Sequence, residues 1–284
     1  MNILVMGASG MAGHTISLYF LEQGHKVTTL TRTPFSIGKN INLNLNVKTI
    51  ENLEELVVND NFDAIINCVG ILNQDAENNK EAAVFLNSYL PHFLSEITKK
   101  SKTKIIHMST DCVFSGSTGS YNENSFTDGA SFYDRSKALG ELNDPKNLTF
   151  RNSIIGPDIN ENGIGLFNWF MKQEESIKGF EKAIWSGVTT LTLAKAMEAA
   201  ISQNLSGLYN LVNNQMINKY EMLQLFNTTF KHGELKIEPD RRLNVNKSLI
   251  NTRTDFKFSV PSYSEMIREM RLWIELHKNY YPHY

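Results

Sequence analysis

The chain is poor in cysteine, in long apolar runs and in any excess of one charge, and each shortage closes off a class of protein. Two cysteines, Cys68 and Cys112, in 284 residues leave no disulfide framework. No secretory leader precedes the first apolar strand, and together these features point to a reducing compartment, the cytoplasm. No apolar stretch approaches the ~20 residues that cross a bilayer, so no membrane partner is expected. Twenty-eight basic against thirty acidic residues give a formal net charge of −2, which leaves no basic field for nucleic acid. His, Cys, Asp and Glu nowhere take metal-ligand spacing, so no metal is expected. Repeats and low-complexity tracts are absent as well. What is there is a globular composition, 41% hydrophobic, in a chain long enough for one large core with a smaller lobe.

Strand and helix patterns alternate along that length, the signature of an α/β fold with a doubly wound parallel sheet. Apolar strands are expected at 3–6, 26–30, 64–69, 104–108, 149–155 and 207–212, and helices at 14–23, 49–58, 80–100 and 191–201. The division that follows is a dinucleotide-binding domain over 1–155, which also receives about 185–212. A smaller C-terminal α/β substrate lobe takes 156–180 and 213–284, and the whole is expected as a monomer or homodimer. Asn87 falls in the middle of the long helix, facing either solvent or the sheet.

The first strand runs into Gly7-Ala8-Ser9-Gly10-Met11-Ala12-Gly13. That glycine spacing gives a tight turn at Gly7, a close backbone approach to a pyrophosphate at Gly10 and close helix packing at Gly13. A dinucleotide is therefore expected over Gly7, Ser9, Gly10, Met11 and Gly13. At the end of the second strand, where a carboxylate would bond the ribose of NAD, the chain has Leu30-Thr31-Arg32-Thr33. Arg32 suits a 2′-phosphate, with the Thr31 and Thr33 hydroxyls beside it, so NADPH is expected, with NADH as the alternative. The fourth apolar stretch, 104–108, delivers Ser109, Thr110 and Asp111 to its carboxyl end, where open α/β sheets bind ligands. Tyr133 and Lys137 follow at helical spacing. Reducing a ketone needs a proton donor for the forming alkoxide, and an ammonium four residues from Tyr133 would favour the phenolate and lower its pKa. The same ammonium suits the nicotinamide ribose, and Thr110 or Ser109 suits the substrate carbonyl.

These stretches, together with Asn67 to Glu77, Ser109 to Gly116, Tyr133 to Glu141 and Arg151 to Pro157, resemble the extended short-chain dehydrogenase/reductases. Within them the similarity is to the dTDP-4-dehydrorhamnose reductase-like nucleotide-sugar 4-ketoreductases, over roughly the first 215 residues. The resemblance implies a Rossmann fold with Tyr133 and Lys137 as the catalytic pair and Thr110, with Ser109, as hydroxyl partner. It implies that Asn67, Cys68, Val69 and Gly70 line the cofactor, and that Asn152, Ile154 and their neighbours serve the sugar-nucleotide side with Asp111 and Cys112. The implied activity is NADPH-dependent reduction of the C4 ketone of a UDP- or dTDP-linked 4-keto-6-deoxy sugar, for surface polysaccharide or glycan precursors.

Two departures fall on the substrate side: Cys112 stands where that branch carries tyrosine, and Ile154 where an aromatic residue is common. They favour a substrate other than dTDP-4-keto-rhamnose, such as a UDP-linked N-acetylhexosulose. A cysteine at the same strand end serves some relatives in epimerisation, paired with a histidine, but no histidine lies between 108 and 231. The competing readings are a packing role for Cys112, a bifunctional epimerase/reductase, and a cofactor-binding regulatory subunit without chemistry. The Thr110-Asp111-Cys112 run disfavours a 4,6-dehydratase, which would have Thr-Asp-Glu. Trp185 and Arg241 are the remaining candidates for the substrate, against core packing and a salt-bridged surface pair with Arg242. Phe167 to Phe170 reads as lobe core, and His107 as a hydrogen-bonded core histidine.

Overall fold

The computed structural model describes all 284 residues. Its main sheet begins with β1 (Asn2–Met6), β2 (Lys26–Thr31), β3 (Lys39–Asn42), β4 (Ala64–Asn67), β5 (Lys104–Ser109) and β6 (Leu148–Arg151). The chain then leaves it for β7 (Ser153–Ile155), β8 (Ile177–Phe180), β9 (Ala183–Trp185) and β10 (Gly187–Thr189), and returns as β11 (Gly207–Asn210). The seven-stranded order is β11-β6-β5-β4-β1-β2-β3, parallel throughout. Strand order reverses between β1 and β4, which places a ligand crevice at their carboxyl ends.

Both faces of this sheet are covered at its centre, so β1, β4 and β5 are apolar on both sides. Ile3 and Val5 join a large core beneath the helices Met11–Glu22 and Thr190–Ser202, while Leu4 and Met6 join a second core beneath Ile50–Asn59 and Leu90–Ile97. The large core runs on into the C-terminal region through Phe167, Trp185, Phe226 and Trp273. There β12 (Ile217–Asn218), β13 (Ile237–Asp240) and β14 (Val245–Asn246) build small sheets with β8 and β9, and the helices Lys219–Phe230 and Tyr263–Leu276 close over them. Each of those two helices opens on a capping box, Asn218 with Glu221 and Ser262 with Glu265, which sets its start.

Several expected elements differ. The 64–69 strand stops at Asn67, because its side chain turns back to accept from the Val69 amide. The 149–155 strand is two strands: after Arg151 the chain crosses into a separate pairing of β7 with β10. The helix expected from Lys80 to Lys100 ends at Ile97 and contains a π-turn from Val84 to Tyr89. β3 and the short helix Asn73–Asn78 have no counterpart in the sequence reading; Lys39-Asn40-Ile41-Asn42 alternates on a polar edge and follows β2 with no intervening helix.

Candidate active site

Three elements end at one point on the carboxyl edge. The first is the glycine turn. Gly7 has φ +73°, and a Cβ on Gly13 would lie 2.2 Å from the Gly7 carbonyl oxygen; with that close approach the helix starts at Met11, three residues before the expected His14. That helix has no side-chain cap and no acidic residue in its first turn. Its leading amides therefore remain available to an anion, and the glycine cradle fits a dinucleotide pyrophosphate. Arg32 lies exposed at the end of β2 with no carboxylate bound to it. The Thr31 hydroxyl, expected to help it, is instead committed, donating to the Thr33 carbonyl at 2.6 Å and accepting from Asn40 at 2.8 Å.

The second element is the helix Phe132–Leu139, started by a Ser131/Asp134 capping box. Its buried face carries Tyr133, Ser136 and Lys137. The π-turn holds it from behind: Asn87 donates to the Ser136 hydroxyl at 3.0 Å and brackets Ile71, accepting from its amide and donating to its carbonyl, both at 2.9 Å, while Ser88 donates to the Ser136 carbonyl at 2.7 Å. Asn87 is thus a fully buried clamp rather than a solvated residue, and the irregular turn places it there.

The third element is the end of β5. Lys137 reaches back to donate to the Met108 carbonyl at 2.6 Å, with His107 Nε2 at 3.4 Å and Asn67 on the other side of that imidazole at 3.2 Å. Burial, then the Lys137 charge, holds His107 well below the ordinary histidine range. Burial also lowers Lys137 to about 8, opposed by Glu141 and Cys68. Burial pushes the Cys68 thiol up to about 12.

The effect expected of Lys137 on Tyr133 does not appear. Burial raises the Tyr133 phenol above its ordinary value, Cys112 adds to that rise, and the Thr110 hydroxyl opposes it. The reason is geometric: the ammonium is committed to Met108 on the strand side. Ser109 is likewise not free, since its hydroxyl donates to Glu141 at 2.6 Å, and Glu141 holds Arg151 in a buried ion pair at 2.6 Å. Thr110 accepts from the Cys112 amide at 3.1 Å and donates to Asp111 at 3.2 Å.

Beside this edge opens a cavity of about 500 Å3. Asp111, Cys112 and Trp185 line it as expected of substrate residues; Asn152, Ile154 and Arg241 do not. Ser153 takes the place of its two neighbours and donates to Asp111 at 2.9 Å. Arg241 is three-quarters exposed and pairs with Glu181 at 2.6 Å, and Arg242 pairs with Asp240. Phe167 and Phe170 are core, and Trp169, between them, is partly exposed at the cavity. Burial raises Asp111 and lifts Cys112 to about 11, so Cys112 presents a neutral thiol. The cavity also holds Lys178, Lys219 and Lys247. No sequence signal singled these out, because they lie in three separate segments without a shared motif.

A family model described as the RmlD substrate binding domain matches residues 1–256. A probable low-salt glycan biosynthesis reductase of Haloferax volcanii is 31% identical over 143 residues, covering 50% of this chain and 48% of the relative. The match therefore spans about half the length of that relative. A dTDP-4-dehydrorhamnose reductase of Burkholderia thailandensis is 28% identical over 219 residues, 74% of this chain and 70% of the relative. Among solved structures, a dTDP-4-dehydrorhamnose reductase of Bacillus anthracis in complex with NADP superposes with a TM-score of 0.78 at 18% identity, over 96% of this chain and 99% of that one. At that identity the likeness shows the fold. No helix is long and apolar enough to cross a membrane.

Proposed function

The chain belongs to the RmlD substrate binding domain family, and from that membership we propose that it reduces the C4 ketone of a nucleotide-activated 4-keto-6-deoxy sugar, UDP- or dTDP-linked, with NADPH. The observation that carries this reading is that Tyr133 and Lys137 pack on the carboxyl end of β5, against Thr110 and Met108, while Asp111 and Cys112, the two residues after Thr110, line a cavity with Trp185, and β1 ends in an uncapped glycine turn. Relatives named as dTDP-4-dehydrorhamnose and glycan biosynthesis reductases support the reaction class. In this reading residues 1–155 and 185–212 hold the cofactor, and 156–180 with 213–284 hold the sugar nucleotide.

NADPH, when bound, supplies the hydride for the carbonyl carbon. Tyr133, kept neutral by burial, gives its phenolic proton to the oxygen as the alkoxide forms, and solvent replaces that proton. The Thr110 hydroxyl, turned from Asp111, donates to the same oxygen and fixes its direction. Lys137, its ammonium already anchored on the Met108 carbonyl, is the residue that would hold the nicotinamide ribose hydroxyls. Arg32 is the candidate for the 2′-phosphate, which supports NADPH over NADH. The test is NADPH consumption against a panel of freshly made UDP- and dTDP-linked 4-keto-6-deoxy sugars. Consumption matched by an equal amount of the alcohol is expected. Cofactor binding without turnover on any member would contradict the proposal and favour a regulatory subunit.

A further inference from the structure

The glycine turn is held from behind by a residue 267 positions away in the chain. His14, in the first turn of the helix Met11–Glu22, is fully buried. Its Nδ1 lies 3.0 Å from the Gly10 carbonyl oxygen and its Nε2 lies 2.8 Å from the Tyr281 hydroxyl. A carbonyl only accepts, so Nδ1 carries the hydrogen and Nε2 presents its lone pair. The Tyr281 hydroxyl therefore donates to Nε2, and its oxygen accepts from the Trp273 indole at 3.2 Å. Burial lowers His14 to about 4 and pushes Tyr281 up to about 12, which keeps the imidazole neutral and the phenol protonated. The Thr15 hydroxyl, 3.3 Å from the same Nε2, has the Met11 carbonyl as its other acceptor at 3.4 Å and itself accepts from Thr190 at 3.2 Å. Trp273, Tyr281, His14 and Gly10 thus form one directed run of hydrogen bonds.

That run ends on the peptide that opens the helix. Gly10 is extended, with φ −85° and ψ 169°, and its carbonyl also accepts the first helical bond, from the His14 amide at 3.0 Å. One residue therefore supplies two hydrogen bonds to one carbonyl. The peptide joining Gly10 to Met11 is planar and trans, so its C=O and N–H point in opposite directions. With the carbonyl drawn toward His14, the Met11 amide is turned outward. The amides of Met11, Ala12 and Gly13 have no backbone acceptor, and a pyrophosphate over the turn would meet these groups. Packing at Gly10 is loose, with nothing nearer than 3.4 Å to where a Cβ would stand, so hydrogen bonds rather than contact set this peptide plane. The segment that delivers Tyr281 is clipped to the far end of the same helix, where His277 meets Glu22 at 2.6 Å. Trp273 and Tyr281 lie beyond residue 256, past the span of the family match.

We propose that Tyr281 is a positioning residue for the cofactor: through the His14 ring it sets the plane of the Gly10–Met11 peptide and so aims the Met11 amide at the pyrophosphate of NADPH. Tyr281 itself touches neither cofactor nor substrate. The proposal rests on the cofactor reading of the glycine turn given above. Without the Tyr281 hydroxyl, a buried ring nitrogen loses its donor, and only the Gly10 carbonyl still favours hydrogen on Nδ1. The effect reaches the cofactor through one neutral hydrogen bond, so it weakens NADPH several-fold and does not abolish binding.

The test pairs NADPH calorimetry on the full-length protein with nitrogen NMR of its isotope-labelled histidine rings, which reports the nitrogen that carries the hydrogen. A His14→Asn spectrum identifies the His14 signals. Tyr281→Phe is compared with wild type and with Tyr19→Phe, which removes a hydroxyl bonded to Glu198 at 2.7 Å from the same helix and has no route to Gly10. Wild type is expected to show His14 with hydrogen on Nδ1. Tyr281→Phe is expected to lose that signature and to bind NADPH about fivefold more weakly, while Tyr19→Phe keeps both. His14→Asn should weaken NADPH at least as much, and adding Tyr281→Phe to it should weaken NADPH no further. Hydrogen on Nε2 in wild type would overturn the proposal even where Tyr281→Phe fails to fold. Unchanged NADPH affinity in Tyr281→Phe, an equal loss in Tyr19→Phe, or additive losses in the double variant would also overturn it and leave the cofactor reading standing. Failure of wild type to bind NADPH would overturn both.

Discussion

The wall of the cleft that carries Tyr133 and Lys137 and the wall that carries Lys219 and Lys247 treat their polar groups in opposite ways. On the first, Lys137 is bonded to Met108, Asn87 to Ile71 and Ser136, and Ser109 to Glu141. On the second, three ammonium groups line a cavity of about 500 Å3 without an ion pair. The first wall is finished before any ligand arrives, as chemistry requires, because a proton donor a fraction of an ångström out of place loses rate. The second keeps its three lysines outside every ion pair of the molecule. The two meet at Asp111 and Cys112, which belong to the β5 strand end by sequence and to the cavity by position.

The comparison is broken most severely by Tyr133→Phe. Removing one hydroxyl from the finished wall should lower kcat about 10²-fold or more and leave NADPH affinity and UDP affinity nearly unchanged. An equal loss of kcat and of cofactor binding would make Tyr133 a structural residue instead. The support behind that wall is tested next. Arg151 is 2% exposed and paired with Glu141, so Arg151→Met leaves a buried carboxylate unpaired. The expected loss is about 3–5 kcal/mol, read as a fall in Tm of about 2–4 °C for each kcal/mol; a Tm within a degree of wild type would show that the pair is not buried in solution.

A smaller and more specific effect lies in pH. The folded value of Lys137 is near 8, below the 10.5 of the unfolded chain. The charged form is thus disfavoured in the fold: the destabilisation is fully present below pH 8 and fades between about 8 and 10.5. Turnover should fall as pH rises through about 8, because the ammonium that holds the ribose is lost, and Lys137→Met should lack that limb while raising Tm at pH 7. A wild-type profile flat to pH 10 would contradict the assignment of the buried ammonium.

The difference between the two walls also governs what could be read from the sequence. Gly7, Gly13, Thr110, Tyr133 and Lys137 sit within short stretches whose spacing carries their purpose, because a strand end and one helix turn bring near neighbours together. The six apolar stretches were legible for the same reason: a parallel sheet covered on both faces needs continuous apolar strands. The lysines of the cavity come from residues 178, 219 and 247, and only tertiary packing unites them. Arg241 invites a functional reading by its charge and its neighbour Arg242, yet each has its own carboxylate a few residues or one strand away. Asn87 shows the intermediate case: its polar nature was visible in a helix, but the π-turn that turns it inward was not.

The measurement that tests the account most directly is the fate of deuterium from NADPH deuterated on its transferable hydrogen, followed by NMR of the sugar nucleotide after incubation with the enzyme. The account predicts deuterium on C4 of the product alcohol, with Tyr133→Phe slowing its appearance about 10²-fold or more. Deuterium at another position, or product formed at an undiminished rate by Tyr133→Phe, would contradict it.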